Sequence, residues 1–165
     1  MTAKRVNPAA LTPTVGTHYP PPFDHPCRSH ERRKLGDAAG LTQFGVNLLA
    51  LPPGAWSGQR HWHTQEDEFT YVLSGEVVLV TNSGEDVLKA GDAAGFKAGD
   101  PDGHCLQNRS AVEARILEIG SRIAGDAAEY PDIDMLAPAH GKPAIYIHRD
   151  GRPYENLRRR GPDDA

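Results

Sequence analysis

Cysteine is nearly absent: Cys27 and Cys105 are the only two in 165 residues, and they form no Cys-x-x-Cys pair. That excludes a disulfide framework and fits two free thiols in a reducing compartment. No apolar run approaches the length of a bilayer span, and the first residues carry no signal-like apolar stretch. Positive charge is not in excess, since 18 Lys+Arg stand against 22 Asp+Glu for a net −4. Nucleic acid therefore has no electrostatic reason to bind. No repeat of solenoid length is present. The expectation is a cytoplasmic protein with a small-molecule partner, no nucleic acid and no membrane.

Turn residues, by contrast, are plentiful. Gly 17 and Pro 14 against 38% hydrophobic residues favour many short strands over long helices. Residues 1–41 read as an extended N-terminal arm, with Pro8, Pro13, Pro20, Pro21, Pro22 and Pro26 in them. His18, His25 and His30 lie in that arm without ligand spacing and read as scattered surface histidines. Residues 42–120 read as consecutive strands. Phe44 to Leu51 is an apolar run stopped by Pro52-Pro53-Gly54, and Glu68–Leu73 and Glu76–Thr81 flank a tight turn at Ser74-Gly75. Short strands follow at Asp86–Lys89, Ala93–Phe96, His104–Arg109 and Val112–Ile119. Such spacing predicts an all-β antiparallel sandwich or barrel.

Residues 121–165 read as a C-terminal arm. Ala124–Glu129 suggests one or two helical turns, Tyr130–Leu136 a loop, and Ala144–His148 an extra strand. Arg158-Arg159-Arg160 reads as a solvated tail. His140 and His148 belong to this arm. Two arms beside a small barrel predict a homodimer in which the N-terminal arm or the Ala144–His148 strand covers a sheet edge.

The chemistry concentrates in His61-Trp62-His63-Thr64-Gln65-Glu66-Asp67-Glu68 and, forty residues on, in His104. Side chains alternate along a strand, so His61 and His63 share a face. Glu68 can return on the next strand after a polar turn, and His104 closes the set from a distant strand. Three imidazoles and one carboxylate suit a divalent transition metal: zinc, manganese, iron or nickel. Trp62 should face the other way, as should Cys105 beside His104. Parity places Gln59, Thr70, Val72, Leu106 and Asn108 along the cavity, although Asn108 can instead satisfy backbone groups at the strand end. Arg60, Lys97, Asp100 and Asp102 are candidates for the mouth.

These residues resemble the two motifs of the cupin superfamily. Gly54, His61, His63, Glu68 and Gly75 carry the His-x-His-x4-Glu-x6-Gly spacing, and Gly91, Gly99, His104 and Asn108 carry the second motif. Three departures stand out: one extra residue between Gly54 and His61, Lys97 where a proline is usual, and two extra residues between Gly99 and His104. The motifs span residues 54–108, about a third of the chain. A bacterial single-domain subgroup with Glu-Asp-Glu-Phe, Tyr-Pro-Asp and Asp-Gly-x-Pro-Tyr is also similar, and a sugar-phosphate isomerase label is sometimes attached to it. The resemblance implies a double-stranded β-helix or jelly-roll barrel binding a metal through His61, His63, Glu68 and His104. It leaves several roles open: acting on a small oxygenated molecule, sugar-phosphate isomerisation, iron-dependent dioxygenation, ligand binding without catalysis, or a structural metal. For the isomerase, Asp100 and Asp102 would repel a phosphate, and only Arg60 and Lys97 are nearby cations.

Overall fold

In the computed structural model, which describes residues 3–139 and 145–164, the chain is almost entirely β. In order the strands are β1 (Thr14–Val15), β2 (Glu31–Lys34), β3 (Phe44–Leu51), β4 (Trp62–His63), β5 (Glu68–Ser74), β6 (Glu76–Thr81), β7 (Gly84–Lys89), β8 (Ala93–Phe96), β9 (Cys105–Gln107), β10 (Ala114–Ser121), β11 (Ala128–Tyr130) and β12 (Met135–Ala137). They form a six-stranded sheet, β1-β2-β3-β10-β5-β8, and two three-stranded sheets, β12-β11-β4 and β7-β6-β9. The pairings between these strands are antiparallel.

The expected turn at Ser74-Gly75 joins β5 to β6. Gly75 has φ 75°, and a Cβ there would sit 2.9 Å from both Ala114 Cα and Glu113 O. Both the backbone sign and the close approach of β10 therefore demand glycine.

Register decides what faces the barrel interior. Across β5, β10 and β3 the inner positions form three rows: Glu68, Gly120, Gly45; then Thr70, Glu118, Asn47; then Val72, Ile116, Leu49. The third row is fully buried and packs with Leu51, Ala55, Val77, Leu79, Leu106 and Ala114. Each such aliphatic side chain contributes roughly 1.5–3 kcal/mol by leaving water. The interior thus runs from polar at one end to apolar at the other.

The two terminal stretches pack against the barrel and each other. β2 pairs with β3, so residues read as an arm extend the main sheet. Thr17 and Arg160 exchange backbone hydrogen bonds of 3.0 and 2.7 Å, and fully buried Asp24 lies 2.9 Å from Arg28 and 3.6 Å from Arg160. A second core of Tyr19, Cys27, Ala128, Tyr130, Met135, Ala137 and Tyr146 forms where these stretches meet.

Three local expectations need correction. Ala124–Glu129 contains no helical turn; β11 starts within it, because Ala128 and Tyr130 are buried on one side and β4 and β12 pair with it on either edge. A short helix, α1 (Leu35–Ala39), appears instead and ends on Gly40 at φ 82°. Arg158–Arg160 is no free tail, since Arg159 donates to Gly16 O and Arg160 to Tyr19 O. His30 is no surface histidine: it is 2% exposed, and its Nδ1 donates to Trp56 O at 2.9 Å. His140 and Ala144 lie outside the described residues, while Ile147 bridges Leu136 and Pro153.

Candidate metal centre

β4 with the residue before it, β5, and the residue before β9 bring His61, His63, Glu68 and His104 together. His61 and His104 exchange backbone hydrogen bonds of 3.1 and 2.9 Å, locking the two histidines side by side. The Nε2 atoms of His104, His63 and His61 lie 3.1, 3.6 and 3.8 Å from Glu68 Oε2. That oxygen is buried and forms no hydrogen bond among the described residues.

The rings are held from behind. His61 Nδ1 lies 2.8 Å from Gln59 O, and a carbonyl only accepts, so Nδ1 carries the proton. His63 Nδ1 lies 2.6 Å from Asp126 Oδ2, which sets the same tautomer. Both Nε2 lone pairs are therefore left to point at Glu68. Phe96 stacks on His104 with centroids 3.5 Å apart and planes 4° from parallel, and Tyr130 stacks on His61 at 5.5 Å. His61, Glu68 and His104 each offer a ligand atom within 4.8 Å of the others, which fits a divalent cation, and His63 adjoins them with its Nε2 3.6 Å from Glu68 Oε2.

Electrostatics agree with that donor set at His61 and Glu68, whereas the carboxylates around His63 favour its protonated ring. Burial, aided by His104 and His63, pushes His61 down to about 4, against the pull of Glu68, so the ring is neutral at pH 7. Burial also acts to lower His63, but the carboxylates of Glu68 and Asp126 outweigh it and raise its pKa. Burial acts to raise Glu68, yet His104, 3.1 Å away, and the other two imidazoles bring it down to about 2.

A cavity of about 70 Å³ opens beside the centre, bordered by Trp62, Glu66, Gly95 and Phe96 as well as ligand residues. Lys97, Asp100 and Asp102 stand at it, whereas Arg60 is turned away, holding Asp132 at 2.7 and 2.6 Å. Trp62 borders the opening although strand alternation pointed it elsewhere. The structure does not gather the parity-based lining residues here. Gln59 donates to Phe23 O at 2.6 Å, and Val72 and Leu106 belong to the apolar core. Asn108 donates to Leu51 O and Val112 O, satisfying backbone as its alternative role required. Thr70 is buried on the inner face, 3.5 Å from Leu117 O.

Sequence reasoning missed Asp126. Besides His63 it accepts from Gln65 N at 2.8 Å and Glu66 N at 3.2 Å, so one carboxylate fixes both a ligand and the turn leading to Glu68. Gly125-Asp126 carries only a turn signal. The pairing of β11 with β4 is what brings it to His63.

The family model for the cupin domain matches residues 47–120. A sugar phosphate isomerase from a cupin superfamily, of Silicibacter pomeroyi, is 37% identical over 93% of this chain and 98% of its own, with a TM-score of 0.87. A candidate sugar phosphate isomerase of Acidithiobacillus ferrooxidans is 28% identical over 73% of this chain and 77% of its own, with a TM-score of 0.68. The polyketide cyclase RemF of Streptomyces resistomycificus, 20% identical over 73% of this chain and 80% of its own with a TM-score of 0.59, shares the fold alone. No curated protein matches the chain. The chain belongs to the cupin superfamily, and its fold is that β-barrel. Among the described residues no helix is long and apolar enough to cross a membrane.

Proposed function

We propose that this cupin holds a divalent transition metal on His61, His63, Glu68 and His104 and binds or transforms a small oxygenated molecule there. The observation that carries the reading is the convergence of three Nε2 atoms on an unsatisfied, buried Glu68 Oε2. When bound, zinc, manganese, iron or nickel would supply Lewis acidity toward a carbonyl or hydroxyl oxygen. Gln59 O and Asp126 hold two of the ligand rings in the required tautomer, and Phe96 covers the third. The adjoining cavity favours an open site over a purely structural one. Water-proton relaxation of the manganese-loaded protein tests this: enhancement that a small oxygenated ligand reduces supports the open site, and a loaded metal with no exchanging water contradicts it.

A second reading, a sugar phosphate isomerase-like enzyme, is favoured by the likeness to the Silicibacter pomeroyi protein. The carboxylates of Glu66, Asp100 and Asp102 at the opening, against Lys97 as its cation, weigh against a phosphate entering there. Turnover of phosphorylated ketoses by the loaded protein separates the two readings.

We also propose a cytoplasmic homodimer. Free, buried Cys27 and Cys105 suit the compartment. The outer face of the main sheet supports self-association, since exposed Phe69, Tyr71 and Leu73 on β5 adjoin Leu117 and Ile119 on β10 and Leu48 and Val46 on β3. Light scattering at micromolar concentration giving a monomer mass contradicts the dimer.

A further inference from the structure

Glu68 has Phe96 of β8 on one side and Gly120 of β10 on the other. The cavity described above lies on the β8 side. On the β10 side the second interior row carries Glu118 between Thr70 and Asn47, diagonal to Glu68 and about 7–8 Å away. Arg32 reaches Glu118 with Nε–Oε2 2.8 Å and Nη2–Oε1 3.1 Å. These two side chains are 26% and 24% exposed, although they point to the same interior as Leu49 and Ile116, which are fully buried. An inner-face ion pair in contact with water marks a basin, not a filled core.

Hydrogen-bonding capacity is left over in that basin. Arg32 spends Nε and Nη2 on Glu118 and Ser57 O, which leaves Nη1 without a partner among the described residues. The half-buried Asn47 amide bonds no protein group among them. Arg122 Nε is buried without a partner and lies 3.6 Å from where a Gly45 Cβ would be. The buried Arg122 Nε needs a partner, and the Arg32 and Asn47 groups are open to solvent or a ligand.

Each guanidinium there faces a carboxylate: Arg32 faces Glu118, and Arg122 faces Asp37. Lys34, opposite Asn47, is exposed at the rim. A phosphate dianion calls for surplus cations and N–H donors. A hydroxyl both donates and accepts, which is what a mixture of guanidinium, amide and carboxylate offers.

We propose that the Arg32–Asn47–Glu118–Arg122 basin is the subsite for the hydroxyl-bearing part of an uncharged polyhydroxylated ligand, whose reacting oxygen meets the metal centre. This rests on the metal reading above and specifies its ligand class.

The test titrates manganese-loaded protein calorimetrically with five- and six-carbon ketoses and alditols, and with the corresponding phosphates. Wild type is compared with Asn47→Ala, which breaks no protein hydrogen bond, and with Glu118→Gln; bound metal is measured in each. The expected result is binding of an unphosphorylated member no weaker than its phosphate, about tenfold weaker in Asn47→Ala, with metal content unchanged. Failure to retain metal in wild type defeats the metal reading itself. Retained metal with no sugar or polyol binding, with unaltered affinity in Asn47→Ala, or with a phosphate bound tenfold more tightly, overturns the basin proposal alone.

Discussion

Asp126 accepts a 2.6 Å hydrogen bond from Nδ1 of His63, across 63 residues of sequence, while also capping the turn that leads to Glu68. Partners behind ligand histidines set ring orientation and basicity, and their loss typically costs 10–100-fold in metal affinity. Asp126→Ala should therefore weaken metal binding by about 10–100-fold in a chelator competition, and Asp126→Asn, which keeps an acceptor, should recover part of it. Equal affinity in Asp126→Ala and wild type would show that the carboxylate serves only the turn.

His30 should make the fold acid-sensitive. Burial, with Arg32 adding to it, brings this ring down from its ordinary 6.5 to about 4, and its Nε2 is buried without a partner. A depressed folded-state value means that the unfolded chain takes up the proton first. The effect is therefore nil above pH 6.5 and grows as pH falls toward 4, reaching roughly 3 kcal/mol of lost stability below that. Urea unfolding at pH 7.5, 5.5 and 4.5 should show a steeper decline in wild type than in His30→Gln. Parallel declines would exclude His30 as the sensor.

The two thiols should be silent. Burial raises the pKa of both Cys27 and Cys105, and neither is disulfide-bonded. Thiolates are the reactive form, so a chromogenic disulfide reagent should label neither residue in the native state and both after denaturation. Rapid labelling of the native protein would contradict the burial.

Below the polar rows, Ile116 joins Leu49 and Val72 in the apolar layer. Ile116→Ala should cost about 2–5 kcal/mol in denaturant unfolding while leaving metal stoichiometry intact. Loss of metal from a variant that remains folded would mean that the layer and the centre are coupled more tightly than their separation into rows implies.

The contrast between His63 and Val72 shows what the sequence made legible. Strand alternation gives the face on which a side chain lies, and motif spacing added which strands meet, so His61, His63, Glu68 and His104 could be grouped in advance. Alternation is blind to depth. Val72 and Leu106 share the inward parity but lie toward the apolar end, where they form core. Asp126 was illegible for a different reason: its place depends on β11 pairing with β4, and the alanines at 124, 127 and 128 gave that segment a helical look. The terminal stretches hid their order similarly, since polyproline-like composition does not reveal that Thr17 and Arg160 pair.

The most direct measurement is elemental analysis of protein purified without chelator or affinity metal, repeated on His61→Ala and His104→Ala. The account predicts close to one equivalent of a divalent transition metal per chain in wild type, directly or after reconstitution, and a large loss in both variants. Less than about a tenth of an equivalent in reconstituted wild type, or full retention in both variants, would contradict it.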